Sequence, residues 1–159
     1  MLSAEPEKGD PIPAKEERTP LRVFITHGKN MDLVDQVKTM LDLADVPYEI
    51  AVEEETSAIP VPEKVRAAMR RCTAGVMIVS VDVDKAAAGQ QINDNVLIEI
   101  GAAFVLYDQR VVLVWDRRLP VPSNLQGLYR CEFEGDDMTF ATGMKLMKAI
   151  NGFKVQDAA

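Results

Sequence analysis

Cysteine is nearly absent from this chain, with two residues, Cys72 and Cys131, among 159. Two thiols cannot form a disulfide framework, and these two have no metal-ligand spacing, so both are read as reduced thiols of a cytoplasmic protein. Histidine is rarer still: His27 stands alone, and a metal site built on it finds no second imidazole. No apolar stretch approaches the roughly 18–20 residues of a membrane-spanning helix. The opening MLSAEPEKGDPIPAKEERTP lacks the basic-then-apolar order of a signal peptide. Positive charge is short as well. Eighteen Lys and Arg face 25 Asp and Glu, a formal net charge of −7 with a pI near 4.8. Such a surface repels phosphate backbones and anionic headgroups, so neither nucleic acid nor a membrane surface is expected as a partner. What the chain has is length and apolar content. At 159 residues and 47% hydrophobic, it suits one soluble domain with a sizeable core.

Residues 1–20 hold four of the nine prolines, eight charges and no aromatic residue, which predicts a disordered tail. The folded domain is placed at 21–153, followed by a short C-terminal tail over 154–159. Within it, strand-like and helix-like patterns alternate. Leu21–Thr26 is a β-branched run closed by His27-Gly28, and Leu33, Val34, Val37, Met40 and Leu41 follow at helical spacing. Tyr48–Val52 alternates as a second strand, and Glu53 to Pro62 reads as a loop. Val65, Ala68, Met69 and Cys72 mark a second helix. Gly75–Val81 is an almost unbroken apolar run, the pattern of a strand covered on both faces. Asp82 to Asn93 reads as a loop, Asn95 to Tyr107 as a third helix and Arg110 to Trp115 as a fourth strand. Tyr129–Phe133 is an edge strand, and Phe140, Met144, Met147 and Ile150 place the last helix. This alternation predicts a doubly wound, flavodoxin-like α/β domain with a five-stranded, mostly parallel sheet and helices on both faces.

In that architecture ligands bind beyond the carboxyl ends of the strands, here near Thr26–Gly28, Val52–Glu55, Val81–Asp84 and Trp115–Arg117. Asp82 becomes a substrate-binding candidate on that rule. Glu99 is the only charge in NVLIEIGAAFVL, where an ionised carboxylate is costly unless paired or hydrogen-bonded. Gln91, Asn95 and Glu99 share one stripe if the helix begins early enough. Glu99 is then either a carboxylate held at a substrate or a half-solvated group at the helix boundary. His27, followed by a glycine that permits close backbone approach, either binds a phosphate or ribose or fills a turn. Thr26-His27-Gly28-Lys29-Asn30 could present backbone N–H groups to an anion. It is neither a Walker A loop nor a GxGxxG fingerprint. Glu53-Glu54-Glu55 reads as a solvated acidic run rather than a cation site, and Trp115 as core. Ser57 and Ser80 have no histidine or lysine arrangement that makes a nucleophile.

Several of these segments together resemble one family. RVFITHG at Arg22–Gly28 is similar to the opening strand and loop of bacterial TIR-like nucleotide-binding domains, and NVLIEIG at Asn95–Gly101 to their Asn-Val-x-x-Glu-x-Gly helix. VVLVWDRRLPVPSNLQGLYRCEF resembles the family's later strand, P-S-D-L-x-G loop and final strand, with Asn124 in place of the acid. The resemblance spans about Leu21 to Ile150. It implies an enzyme that cleaves NAD at the nicotinamide–ribose bond, acting as an effector in bacterial antiphage systems that signal with cyclic nucleotides. NAD is then a substrate, and no cofactor is implied. Glu99 takes the catalytic position, and Thr26, His27, Gly28 and Asn95 the nucleotide-lining ones, with Asn95 a candidate hydrogen-bond donor to Glu99. Effectors of this family contain or work with a sensing module, which residues 1–20 cannot supply. The resemblance therefore implies a separate cyclic-nucleotide sensor, or a chain that is a fragment, or activity that depends on self-assembly, with a homo-oligomer's site completed by a neighbour's Glu53–Val61 loop. Two other readings share the residues: a nucleoside deoxyribosyltransferase-like enzyme with a nucleophilic glutamate, and a non-catalytic nucleotide-binding or self-association module.

Overall fold

The computed structural model describes residues 20–51, 61–81 and 92–158. Along the chain run β1 (Val23–Thr26), α1 (Met31–Leu43), β2 (Tyr48–Ile50), α2 (Val61–Arg71) and β3 (Ala74–Val79). They are followed by α3 (Asp94–Tyr107), β4 (Val111–Asp116), a 3-10 turn (Ser123–Leu125), β5 (Tyr129–Phe133) and α4 (Phe140–Ala158). The five strands form one sheet in the order β2-β1-β3-β4-β5. Every pairing is parallel, with Phe24 opposite Gly75, Met77 opposite Leu113 and Trp115 opposite Glu132. This is the doubly wound, flavodoxin-like order, and its strand direction of travel reverses between β1 and β3.

The apolar runs of β3 and β4 are buried at every position because helices cover both faces. Alternate side chains serve opposite layers. Val23, Ile25, Val76, Ile78 and Val114 pack under α1 and α4, meeting Leu33, Val37, Leu146 and Ile150. Phe24, Met77, Val79, Leu113 and Trp115 pack under α2 and α3, meeting Met69, Val96, Ile100 and Tyr107. Gly75 is packed tightly: a Cβ there would stand 2.4 Å from the end of the Met77 side chain and 3.3 Å from the Tyr107 ring of α3. The Tyr107 hydroxyl donates to the Met69 carbonyl at 2.6 Å, which ties α3 to the end of α2.

At the opposite, amino edge of the sheet Glu49 accepts a two-pronged bond from Arg71 at 2.6 and 2.8 Å and lies 3.7 Å from Arg22. Burial pushes the neighbouring Cys72 thiol up to about 12 and the Cys131 thiol up to about 11. Both cysteines are buried and unbridged, so neither offers a reactive thiolate.

The first four strands differ from their expected limits by one or two residues, and three helix boundaries shift. The last helix runs to Ala158, so the short tail expected over 154–159 is helical almost to its end. Phe153 is buried, and Lys154 Nζ donates to the Ala44 carbonyl, which anchors the helix beyond Asn151-Gly152. The second helix takes in Val61 and Pro62, which had read as loop; a proline is tolerated in a first turn because its missing N–H has no partner there. The third helix starts at Asp94, with Asn93 Oδ1 accepting the Asn95 N–H at 2.9 Å. The N-terminal tail, Gln91, Asp82 and the Glu53–Glu55 run lie outside the described residues.

Candidate functional site

β1 ends at the sheet's carboxyl edge, beside the reversal point. Its last residue, Thr26, is fully buried, and the hydroxyl has no hydrogen-bond partner among the described residues. His27 follows at 9% exposure. Its Nδ1 lies 2.6 Å from the Gly28 carbonyl. A carbonyl only accepts, so Nδ1 is the donor in this contact. Gly28 adopts no left-handed φ, and an added Cβ would rest at an ordinary 3.6 Å from Ser80 Oγ. The fold itself thus makes no demand for glycine at this position.

Gly28 and Lys29 form one wall of a tight crevice closed by Val79 and Ser80 of the third strand's end and by Ile92, Asn93 and Val96 at the start of α3. The crevice therefore joins the first strand's turn to the helix that bears Glu99. Glu99 lies three residues beyond Val96 and four before Ala103, both buried, at the margin of the helix's packed face. It is half-buried, and its Oε2 oxygen is shut off from solvent. Asn95 sits exposed in the first turn, away from the buried stripe. Its described bond is the backbone one to Asn93.

Sequence reasoning passed over a second group. Asp116 closes β4 and is fully buried. Its carboxylate accepts Arg118 Nε and N–H at 3.0 Å and Nη2 at 2.6 Å. Burial pushes this carboxyl up, but the Arg118 bonds and charge, with a backbone bond from Gly135, outweigh it and hold the group below its ordinary range. The pair lines a cleft of about 550 Å³ with Lys29, Asn30, Asp32, Ser80 and Asp136. An acid closing an otherwise apolar strand, with arginine two residues on, was the available signal.

Glu49 and Asp116 are both depressed, Glu49 chiefly through its Arg71 bond. The stability they contribute is complete above the ordinary values of 4.5 and 3.8 and is lost as the pH falls through the depressed ones. Urea melts are therefore expected to show constant stability from neutral pH down to the ordinary carboxylate range and a fall below it. Asp116→Asn, which cannot titrate, is expected to shallow that fall.

Residues 22–135 match the model of the CAP12/Pycsar effector protein TIR domain family. The chain belongs to that family. The match takes in the β1 turn, the α3 helix with Glu99 and the β4 end with Asp116, so this TIR-like domain is that of an antiphage effector, a class linked to a sensor. No curated protein matches the chain. Among solved structures it is similar to a diflavin flavoprotein A3 from Nostoc sp., at 13% identity and a TM-score of 0.46, with 89% of this chain and 96% of that one covered. No helix among the described residues is long and apolar enough to cross a membrane.

Proposed function

We propose that this TIR-like domain is an NAD glycohydrolase, with Glu99 as the catalytic residue. The observation that carries the reading is the setting of Glu99. It is the one charge on α3 between Asp94 and Asp108, its Oε2 is withdrawn from solvent, and the crevice by Val96 links its helix to Gly28.

The chemistry suits such a carboxylate. Nicotinamide is cationic in NAD and departs as a neutral base, so no strong general acid is required. The barrier is the oxocarbenium character that develops on the ribose. A carboxylate in a partly desolvated site stabilises that charge more than water does and accepts bonds from the ribose hydroxyls. Thr26 and His27 supply a hydroxyl and a ring nitrogen for the substrate, and Gly28 leaves room for its close approach. Asn95 and Asp82 complete the candidate binding set. NAD is the substrate and no resident cofactor is required.

Activity is expected to depend on self-assembly, with a neighbour's Glu53–Val61 loop closing the site and a separate cyclic-nucleotide sensor controlling the effector. Specific activity should then rise with protein concentration and with crowding agents. Equal specific activity in dilute monomer, sized by light scattering at the same concentrations, would remove the assembly requirement.

The test of the enzyme is nicotinamide release from NAD by the intact chain, compared with Glu99→Gln. Exchange of bases on deoxynucleosides with no loss of NAD would instead establish the deoxyribosyltransferase-like reading. Folding and self-association with neither turnover would establish a binding module.

A further inference from the structure

We infer that the outward face of α3 is a self-association surface, on which two copies of this chain pack helix to helix, antiparallel and about a two-fold axis. The inference names the surface for the self-assembly proposed above. It does not depend on NAD being the substrate.

α3 is apolar on both sides. Its inward stripe of Val96, Ile100, Ala103 and Tyr107 is buried against the sheet. A second stripe of Ile98, Gly101, Ala102 and Val105 has the i, i+3, i+4, i+7 spacing of a helix–helix seam. Ile98 is 69% exposed and Val105 85%, with Leu106 beside them at 45%. From Asn95 to Leu106 the sole charge is Glu99, which is half-buried at the margin of the inward stripe. A helix that lies on the surface of a monomer carries polar groups on its outer side, and one that is apolar all round is covered. Gly101 points the same way. An added Cβ there would meet nothing within 4 Å, so no contact among the described residues asks for a glycine. Glycine in mid-helix is destabilising relative to alanine, and close approach of a second helix gives it a use.

The partner is a second copy because the stripe is its own complement. From either end the order of sizes is the same: Leu97-Ile98, then Gly101-Ala102, then Val105-Leu106. In an antiparallel pair centred between Gly101 and Ala102, Ile98 of one copy stands level with Val105 of the other, and Leu97 with Leu106. The large side chains then flank a small centre, where the two backbones come closest. The polar ends match as well. The same symmetry sets Asn95 level with Asp108, and Asp94 level with Gln109, so an amide meets a carboxylate each time. All four of these residues are exposed. No carboxylate stands level with another, although the chain's net charge is −7.

The size of the face sets the strength of the pairing. α3 has 14 residues, about 21 Å at the rise of an α-helix. Half the circumference over that length is roughly 300 Å² per copy, or roughly 600 Å² for the pair. A stable complex buries about 1,200 Å² or more, so this dimer is weak and forms in concentrated protein.

Sedimentation equilibrium of the intact chain tests the surface without any turnover. Wild type should pass reversibly from monomer to dimer across micromolar to millimolar concentration. Val105→Lys should raise the dissociation constant about a hundredfold or more, because a two-fold interface counts each change twice. Phe140→Lys, at a side chain of α4 that is also 85% exposed, should leave it unchanged. Both side chains lie outside the core, so the urea midpoints should stay at the wild-type value. Crosslinking with copper phenanthroline reads the alignment. A mixture of Ile98→Cys and Val105→Cys chains should join faster than either chain alone, and the native cysteines are buried. Faster joining of like chains overturns the antiparallel pair. A wild type that stays monomeric throughout overturns the surface, as does a dimer that persists in Val105→Lys. A monomeric wild type whose urea midpoint falls in Val105→Lys also overturns it, and assigns the face to another segment of the same chain. A dimer lost in Val105→Lys, from a chain that releases no nicotinamide, supports the surface while the glycohydrolase reading fails alone.

Discussion

Glu99→Gln is expected to lower nicotinamide release by about 10²–10³-fold, the scale seen when one group aimed at developing charge is removed. The substitution retains the side chain's volume and its capacity to hydrogen-bond, so packing at the margin of α3 between Val96 and Ala103 is preserved. What disappears is a full negative charge whose Oε2 is withdrawn from water, where its field is least screened. The deficit should fall on kcat more than on KM, because the charge it stabilises exists mainly at the transition state. Circular dichroism and the urea midpoint should match wild type. A matched fold with a KM effect alone would assign Glu99 to binding instead of catalysis.

Trp115→Ala is expected to give the largest loss of stability, about 3–5 kcal/mol. Trp115 is fully buried at the end of β4, on the face that supports α3, where it shares a cluster with Val96 and Ile100. Its Nε1–H donates to the Leu119 carbonyl at 3.0 Å, so truncation opens a cavity and also removes the bond that holds the loop after β4. The denaturation midpoint should fall with an unchanged slope, and the thermal midpoint should drop by roughly 10 °C or more. Trp115→Phe, which refills most of the space but not the bond, should recover the larger part. A loss below about 1 kcal/mol for the alanine variant would mean that the side chain is not the core residue described.

Much of the fold was legible because its cues are local and strong. The apolar run Gly75–Val81 and the strand Val111–Asp116 could only be covered on both faces, and strands alternating with helices leave few topologies. The withdrawn setting of Glu99 Oε2 was legible for a related reason: one acid in an apolar helix is flanked by residues that must be covered. The end of β1 was legible as a place, since a glycine follows the strand there.

Other features depend on contacts that spacing does not encode. Asp116 and Arg118 face each other because the chain turns immediately after β4, with Leu119 N–H bonding back to the Asp116 carbonyl at 3.0 Å; in the sequence they are an acid followed by ordinary surface arginines. The start of α3 is set by the Asn93 side chain, which accepts the Asn95 N–H. The last helix continues past Asn151-Gly152, where Phe153 is buried and Lys154 bonds the Ala44 carbonyl, a contact across 110 residues.

The most direct measurement follows NAD and nicotinamide together, by chromatography, in concentrated wild-type protein and in Glu99→Gln of equal thermal midpoint. Wild type should convert NAD to nicotinamide one for one while the variant leaves it intact. Nicotinamide formed at the same rate by both proteins would contradict the account.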